Sequence, residues 1–164
     1  MKRRGATLLE LMAATVVMAV AAAALAPAMA AAGESYASAS RADRALDETL
    51  AALDRVAAML REAPAGSAAG TLGISEAGPG ILRFADGTGV EAADGALALL
   101  AADGARFPLA ANVRRFEVRP LAEDGVTDLT AEPQNAHVFQ ITLGVEGLEL
   151  TTRVFPRARL WSAP

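Results

Sequence analysis

Glu10 is the residue whose type and position demand a chemical reason. It stands directly before residues 11–32, LMAATVVMAVAAAALAPAMAAA, a stretch without a charge. A charged side chain costs about 2.5–3.5 kcal/mol at the centre of a membrane helix on insertion scales, less toward its ends, and is retained where it serves a function. A carboxylate there can accept hydrogen bonds from a cation brought to the membrane boundary and neutralise it. A paired charge is far less costly to hold in a low dielectric than a lone one. A cleaved secretion signal would gain nothing from such a residue.

Other residues that could do chemistry are dispersed. Glu123, Asp124, Asp128 and Glu132 fall in one polar stretch, AEDGVTDLTAEPQN, and hard oxygen ligands on a loop can hold calcium. Their spacing fits no EF-hand loop, and four acids in a solvated loop need no further explanation. His137 is the single histidine and there is no cysteine, so disulfides, thiolate metal sites and cysteine nucleophiles are excluded together. The sequence has no nucleophile elbow, HExxH or serine–lysine motif. The Gly- and Ala-rich residues 65–80 lack a Walker lysine and GxGxxG spacing, so they are no phosphate cradle but a loop. These features point away from an enzyme and imply no cofactor. A net charge of −4 argues against a general nucleic-acid binder, which needs basic patches to neutralise phosphate.

The element that must position Glu10 is the helix it heads. Residues 11–32 would span roughly 33 Å as a helix, enough to cross a bilayer core. Lys2, Arg3 and Arg4 precede it and place the N-terminus in the cytoplasm, with the remainder outside. Three readings are open at this point. The basic start, the apolar run and the small residues Ala28 and Ala30 of APAMA fit a signal peptide cut after Ala30, which would release a soluble periplasmic binding protein. A plain signal anchor would tether an exported domain. Both leave Glu10 unexplained.

The third reading is a resemblance. RGATLLEL resembles the processing and assembly signal of type IV prepilins and of the pseudopilins of type II secretion: basic residues, then Gly5, a short apolar stretch, and the glutamate at Glu10. The resemblance implies that prepilin peptidase cuts between Gly5 and Ala6 and methylates the new N-terminus. Glu10 would then compensate the ammonium of a neighbouring subunit, recruiting it and setting its axial register. Pro27 stands where many pilins carry a proline that kinks the helix, since proline removes one helical hydrogen bond. Ala6 departs from the phenylalanine usual after the cut, which leaves methylation open. In its specific form the resemblance covers residues 1–32.

Beyond Gly33 the chain turns amphipathic. Leu46, Leu50, Leu53, Ala57 and Leu60 recur at helical spacing, and Pro64 and Gly66 end the element. The rest reads as β-structure, some five or six antiparallel strands. Asp86-Gly87, Asp103-Gly104 and Glu146-Gly147 mark turns, and alternation is clearest in VRRFEVRPL, HVFQITLGV and LELTTRVF. Phe84, Phe107, Phe116, Phe139 and Phe155 are the expected large core residues. The fold class expected is α+β: a long N-terminal membrane-spanning helix continuing into an amphipathic stalk packed on an antiparallel β-sheet, as in pilins. Residues 1–5 would be leader, 6–32 transmembrane and assembly helix, 33–63 stalk and 64–164 head.

The absence of a cysteine pair and the alanine-rich helix favour a minor subunit over a major one. The stalk helix followed by VRRFEVRPL and LELTTRVFPRARL is similar to the J-type minor pseudopilins. That resemblance implies I- and K-type minor subunits as partners at a filament tip, together with an inner-membrane assembly platform. It also implies a single-pass inner-membrane protein whose periplasmic head later joins a filament that drives protein secretion.

Overall fold

The computed structural model describes residues 7–160. They fall into two compact units, one ending at Arg44 and the other beginning at Ala45. A single helix, α1 (Leu8–Arg61), belongs to the first unit up to Arg44 and to the second from Ala45.

In the first unit the helix is dictated by composition. Alanine has the highest helix propensity, and no glycine interrupts the run before Gly33. The helix continues through Pro27, whose ring nitrogen cannot donate to the Ala23 carbonyl one turn earlier. An 18-residue window of this helix has a mean hydropathy of 2.2, and none of it is buried. By length and composition it can cross a membrane.

The second unit is an α+β head with antiparallel sheets. Five strands form a meander in the order β1 (Ile74–Gly78), β2 (Ile81–Phe84), β3 (Gly89–Ala93), β4 (Ala96–Leu100) and β5 (Arg106–Ala111). Three longer strands, β6 (Val113–Leu121), β7 (Val138–Val145) and β8 (Leu148–Val154), form a second antiparallel sheet. The chain passes between the sheets at Asn112, a non-glycine residue in the left-handed region at φ 55°. The sheets are stitched where the Gly80 N–H donates to the Phe116 carbonyl at 2.8 Å and Val113 N–H to Gly95 at 2.8 Å. The turn between β1 and β2 and the one between β3 and β4 thereby meet the edge of β6 that β7 leaves free.

One core joins both sheets to the helix. Ala52, Leu53, Val56, Ala57 and Leu60 of α1 are buried with Leu82, Val90 and Leu97 of the first sheet and Val118, Phe139, Ile141 and Leu143 of the second. Thr49 is buried too, and satisfies its hydroxyl on the Ala45 carbonyl one turn back at 2.5 Å. Gly89 is required by close packing: a Cβ there would run into the Leu82 carbonyl of the neighbouring strand.

Several expectations need correcting. Among the described residues the strands number eight in two sheets, not five or six, in part because the 65–80 stretch read as a loop contains β1. Leu46 and Leu50 are 38% and 43% exposed. The buried stripe is rotated toward Thr49, Ala52 and Val56, small or β-branched residues, leaving those two leucines on its flank. Phe107 and Phe155 are also exposed, at 53% and 57%. Phe107 lies on β5, the outer edge of its sheet, and Phe155 follows the buried Val154 as the chain leaves β8. The helix ends at Arg61, before Pro64. The turns at Asp86-Gly87, Asp103-Gly104 and Glu146-Gly147 stand between the strands they were expected to join.

Candidate functional site

The site in the first unit is the head of α1. Glu10 is exposed there, and its Oε2 accepts the Thr7 backbone N–H at 3.0 Å and the Thr7 hydroxyl at 3.3 Å. In return the Glu10 N–H donates to the Thr7 Oγ1 at 3.3 Å. This is a capping box: the first N–H groups of a helix have no partner within the helix, and a Thr–x–x–Glu pair satisfies two of them reciprocally. Thr7 is thus a functional residue that Glu10 alone did not reveal. The signal was in the sequence, as TLLE directly before an apolar run.

The carboxylate therefore has a local role as well as any external one. Among the described residues its second oxygen has no hydrogen-bond partner, so capping uses one oxygen of two. Behind it the helix is apolar all round: every large apolar side chain from Leu8 to Met29 is at least 61% exposed. Such a surface is stable only where lipid or other helices cover it. Gly5 and Ala6, the expected processing pair, lie outside the described residues, as do Lys2, Arg3 and Arg4.

Of the four acids of the 123–132 loop, Asp124 and Asp128 turn inward to their own backbone rather than toward the other two. The Asp124 carboxylate accepts the N–H groups of Val126 and Thr127, both at 2.9 Å, and the Thr127 hydroxyl at 2.6 Å. Asp128 accepts the Thr130 hydroxyl at 2.5 Å and N–H at 2.8 Å, while Arg119 donates to its other oxygen. Hydrogen bonds from Thr127 and Thr130 respectively, foremost their hydroxyls, hold both carboxyls below the usual aspartate range. Glu132 accepts from the Asn135 amide at 2.7 Å, and Glu123 is exposed. Among the described residues no group of three or more histidine, aspartate or glutamate side chains could hold a metal ion. The loop reads as a set of side-chain-capped turns.

The solvent face of the second sheet is a balanced charge array. Arg115 donates to Glu117 at 2.7 Å on its own strand and to Glu149 across β7 at 3.4 Å. The small Gly144 beneath allows this reach, since a Cβ there would stand 3.2 Å from that of Arg115. Hydrogen bonding to Glu117, followed by the charge of Glu149, raises the pKa of Arg115. Arg114 pairs with Glu146 at 2.7 Å. These exposed pairs are screened by solvent and chiefly keep the sheet face wet.

Among the open hollows that indent the described part of the head, a small one of about 180 Å³ beside the helix carries Thr88, Asp86 and Glu62, and two are larger. One, about 340 Å³, lies between the turns and β6 and is lined by Asp94, Arg114 and Arg115 among others. The other, about 330 Å³, carries Arg83, Glu91 and Arg106. Neither is lined by a hydroxyl, imidazole or thiol. His137 sits just before β7, where its backbone N–H donates to the Leu121 carbonyl at 2.9 Å. No protein-family model, curated protein or solved structure matches the chain.

Proposed function

We propose that the chain is a minor pilin-class subunit, a pseudopilin of the J type, held in the inner membrane by the N-terminal part of α1 with its head in the periplasm. On this reading prepilin peptidase trims it after Gly5, and the helix then packs among those of other pseudopilins in a filament that drives protein secretion. The observation that carries the proposal is the combination at the head of α1. An apolar helical surface exposed on every side starts at an ionisable residue that, among the described residues, uses one carboxylate oxygen for its cap and leaves the other for a cation. Membrane and filament both cover such a surface, and a filament also supplies the cation in the N-terminal ammonium of a neighbour. Release of a soluble domain by a cut after Ala30 fits less well, because that bond lies within an unbroken helix.

The testing experiment is the mass of the mature N-terminal peptide, taken from membranes of cells that express the full chain with its own peptidase. A peptide beginning at Ala6, methylated or not, supports the pilin class. One beginning at Ala31 refutes it in favour of a soluble periplasmic protein, and an unprocessed Met1 leaves only a signal anchor. The tip assignment has its own test. Tagged chain extracted from membranes should bring the I- and K-type subunits with it, and recovery of none of them removes the J-type reading alone.

A further inference from the structure

The C-terminal turn α2 (Arg157–Leu160) closes the head in an unusual way. Arg159 donates from all three guanidinium nitrogens to backbone carbonyls: Nε to Ala136 at 3.0 Å, Nη2 to Gln134 at 3.1 Å, and Nη1 to Gly70. These acceptors come from two loops remote from each other in sequence, the one before β1 and the one before β7. Gln134 ties the loops together as well, since its carbonyl also accepts the Leu72 N–H at 2.8 Å. Leu72 and Ala136 beside the cage are 2% and 0% exposed. Burial lowers the pKa of Arg159, as expected for a cation drawn partly out of water.

We propose that the Gly70, Gln134 and Ala136 carbonyls form a guanidinium-binding cage, filled in cis by Arg159, and that α2 is a latch held shut by this occupant. Three acceptors, one for each guanidinium nitrogen, suit the fixed fork of an arginine better than a tetrahedral ammonium, whose donors point elsewhere. The latch has contacts to release. Pro156 is buried and Ala158 packs against the core, so withdrawal of α2 uncovers that flank and removes the bridge that Arg159 makes between Gly70 and the Gln134–Ala136 loop. The cage is independent of the membrane helix, and its test is independent of processing at Gly5.

The test is chemical rescue in the full chain in detergent, read as amide hydrogen exchange at Leu72, with Arg159→Ala and Arg159→Lys as variants. Opening of the cage should speed exchange at Leu72 about tenfold or more in both variants. Methylguanidinium at about 10 mM should restore protection in Arg159→Ala in a saturable way, while methylammonium at the same concentration should not. The wild type should respond to neither salt. Unchanged exchange in Arg159→Ala, or equal rescue by the two cations, overturns the proposal. Should Arg159→Ala fail to fold, its yield of folded head with and without methylguanidinium decides the same question. Equal yields overturn the cage, and recovery with methylguanidinium alone supports it.

Discussion

On the proposed reading Glu10 has two separable tasks, and their sizes differ enough to be told apart. The capping box uses hydrogen bonds at 3.0 and 3.3 Å between Thr7 and one carboxylate oxygen. Loss of such a cap costs about 0.5–2 kcal/mol. The proposed filament role uses the negative charge against a neighbour's ammonium, and breaking a buried ion pair by removing one partner costs about 3–5 kcal/mol. At 1.4 kcal/mol per tenfold, the second loss corresponds to a factor of roughly a hundred or more. Glu10→Gln keeps an acceptor at the third helical position, where glutamine also serves the capping box, and removes only the charge. Thr7→Ala removes the cap and keeps the charge. Assembly can be followed as the filament fraction sheared from cells relative to total membrane-bound chain. Helix formation can be followed by circular dichroism of the N-terminal peptide in micelles. Glu10→Gln should assemble about a hundredfold less with helicity unchanged, and Thr7→Ala should lose some helicity and assemble within about tenfold of wild type. If Glu10→Gln assembles like wild type while Thr7→Ala fails, the carboxylate is a cap and nothing more, and the argument from its charge collapses.

The head offers further checks. Phe139 is fully buried at the centre of the second sheet, so Phe139→Ala should destabilise by about 3–5 kcal/mol in chemical denaturation, whereas Phe107→Ser at the exposed edge should stay within about 0.5 kcal/mol. Asn112 at φ 55° should accept glycine with little change, while Asn112→Val should cost about 1–2 kcal/mol because a β-branched side chain resists the left-handed region. The carboxyls of Asp124 and Asp128 titrate below their ordinary value of 3.8 in the folded chain. Their contribution to stability is therefore complete above that value and is lost as pH falls through the lower folded values. Amide resonances of Thr127 and Thr130 should accordingly hold steady down to about pH 4 and shift only in stronger acid. Movement of those resonances near neutral pH would contradict the capped-turn geometry.

Much of the architecture was legible because it rests on local chemistry. The apolar run of residues 11–32, headed by the Glu10 carboxylate, forces an exposed apolar helix whatever follows it, and the capping box is spelled by Thr7 and Glu10 three residues apart. Turns at Asp-Gly and Glu-Gly pairs follow from the left-handed conformation that glycine adopts without strain, as at Gly87, Gly104 and Gly147. The same reasoning misplaced Phe107 and Phe155, because aromatic character says a residue can be buried, not that a neighbour will cover it.

What the sequence alone determined is thus the membrane-length helix, its capped acidic start and the α+β class, all set by composition and by spacings within a few residues. Only the tertiary structure decided that the head has two sheets, that the helix presents Thr49, Ala52 and Val56 rather than Leu46 and Leu50, and that Arg159 closes a cage of carbonyls from distant loops. Those outcomes depend on which surfaces meet. A β-edge, a helix face and a guanidinium each have several local solutions of similar energy, and burial against a particular partner selects among them.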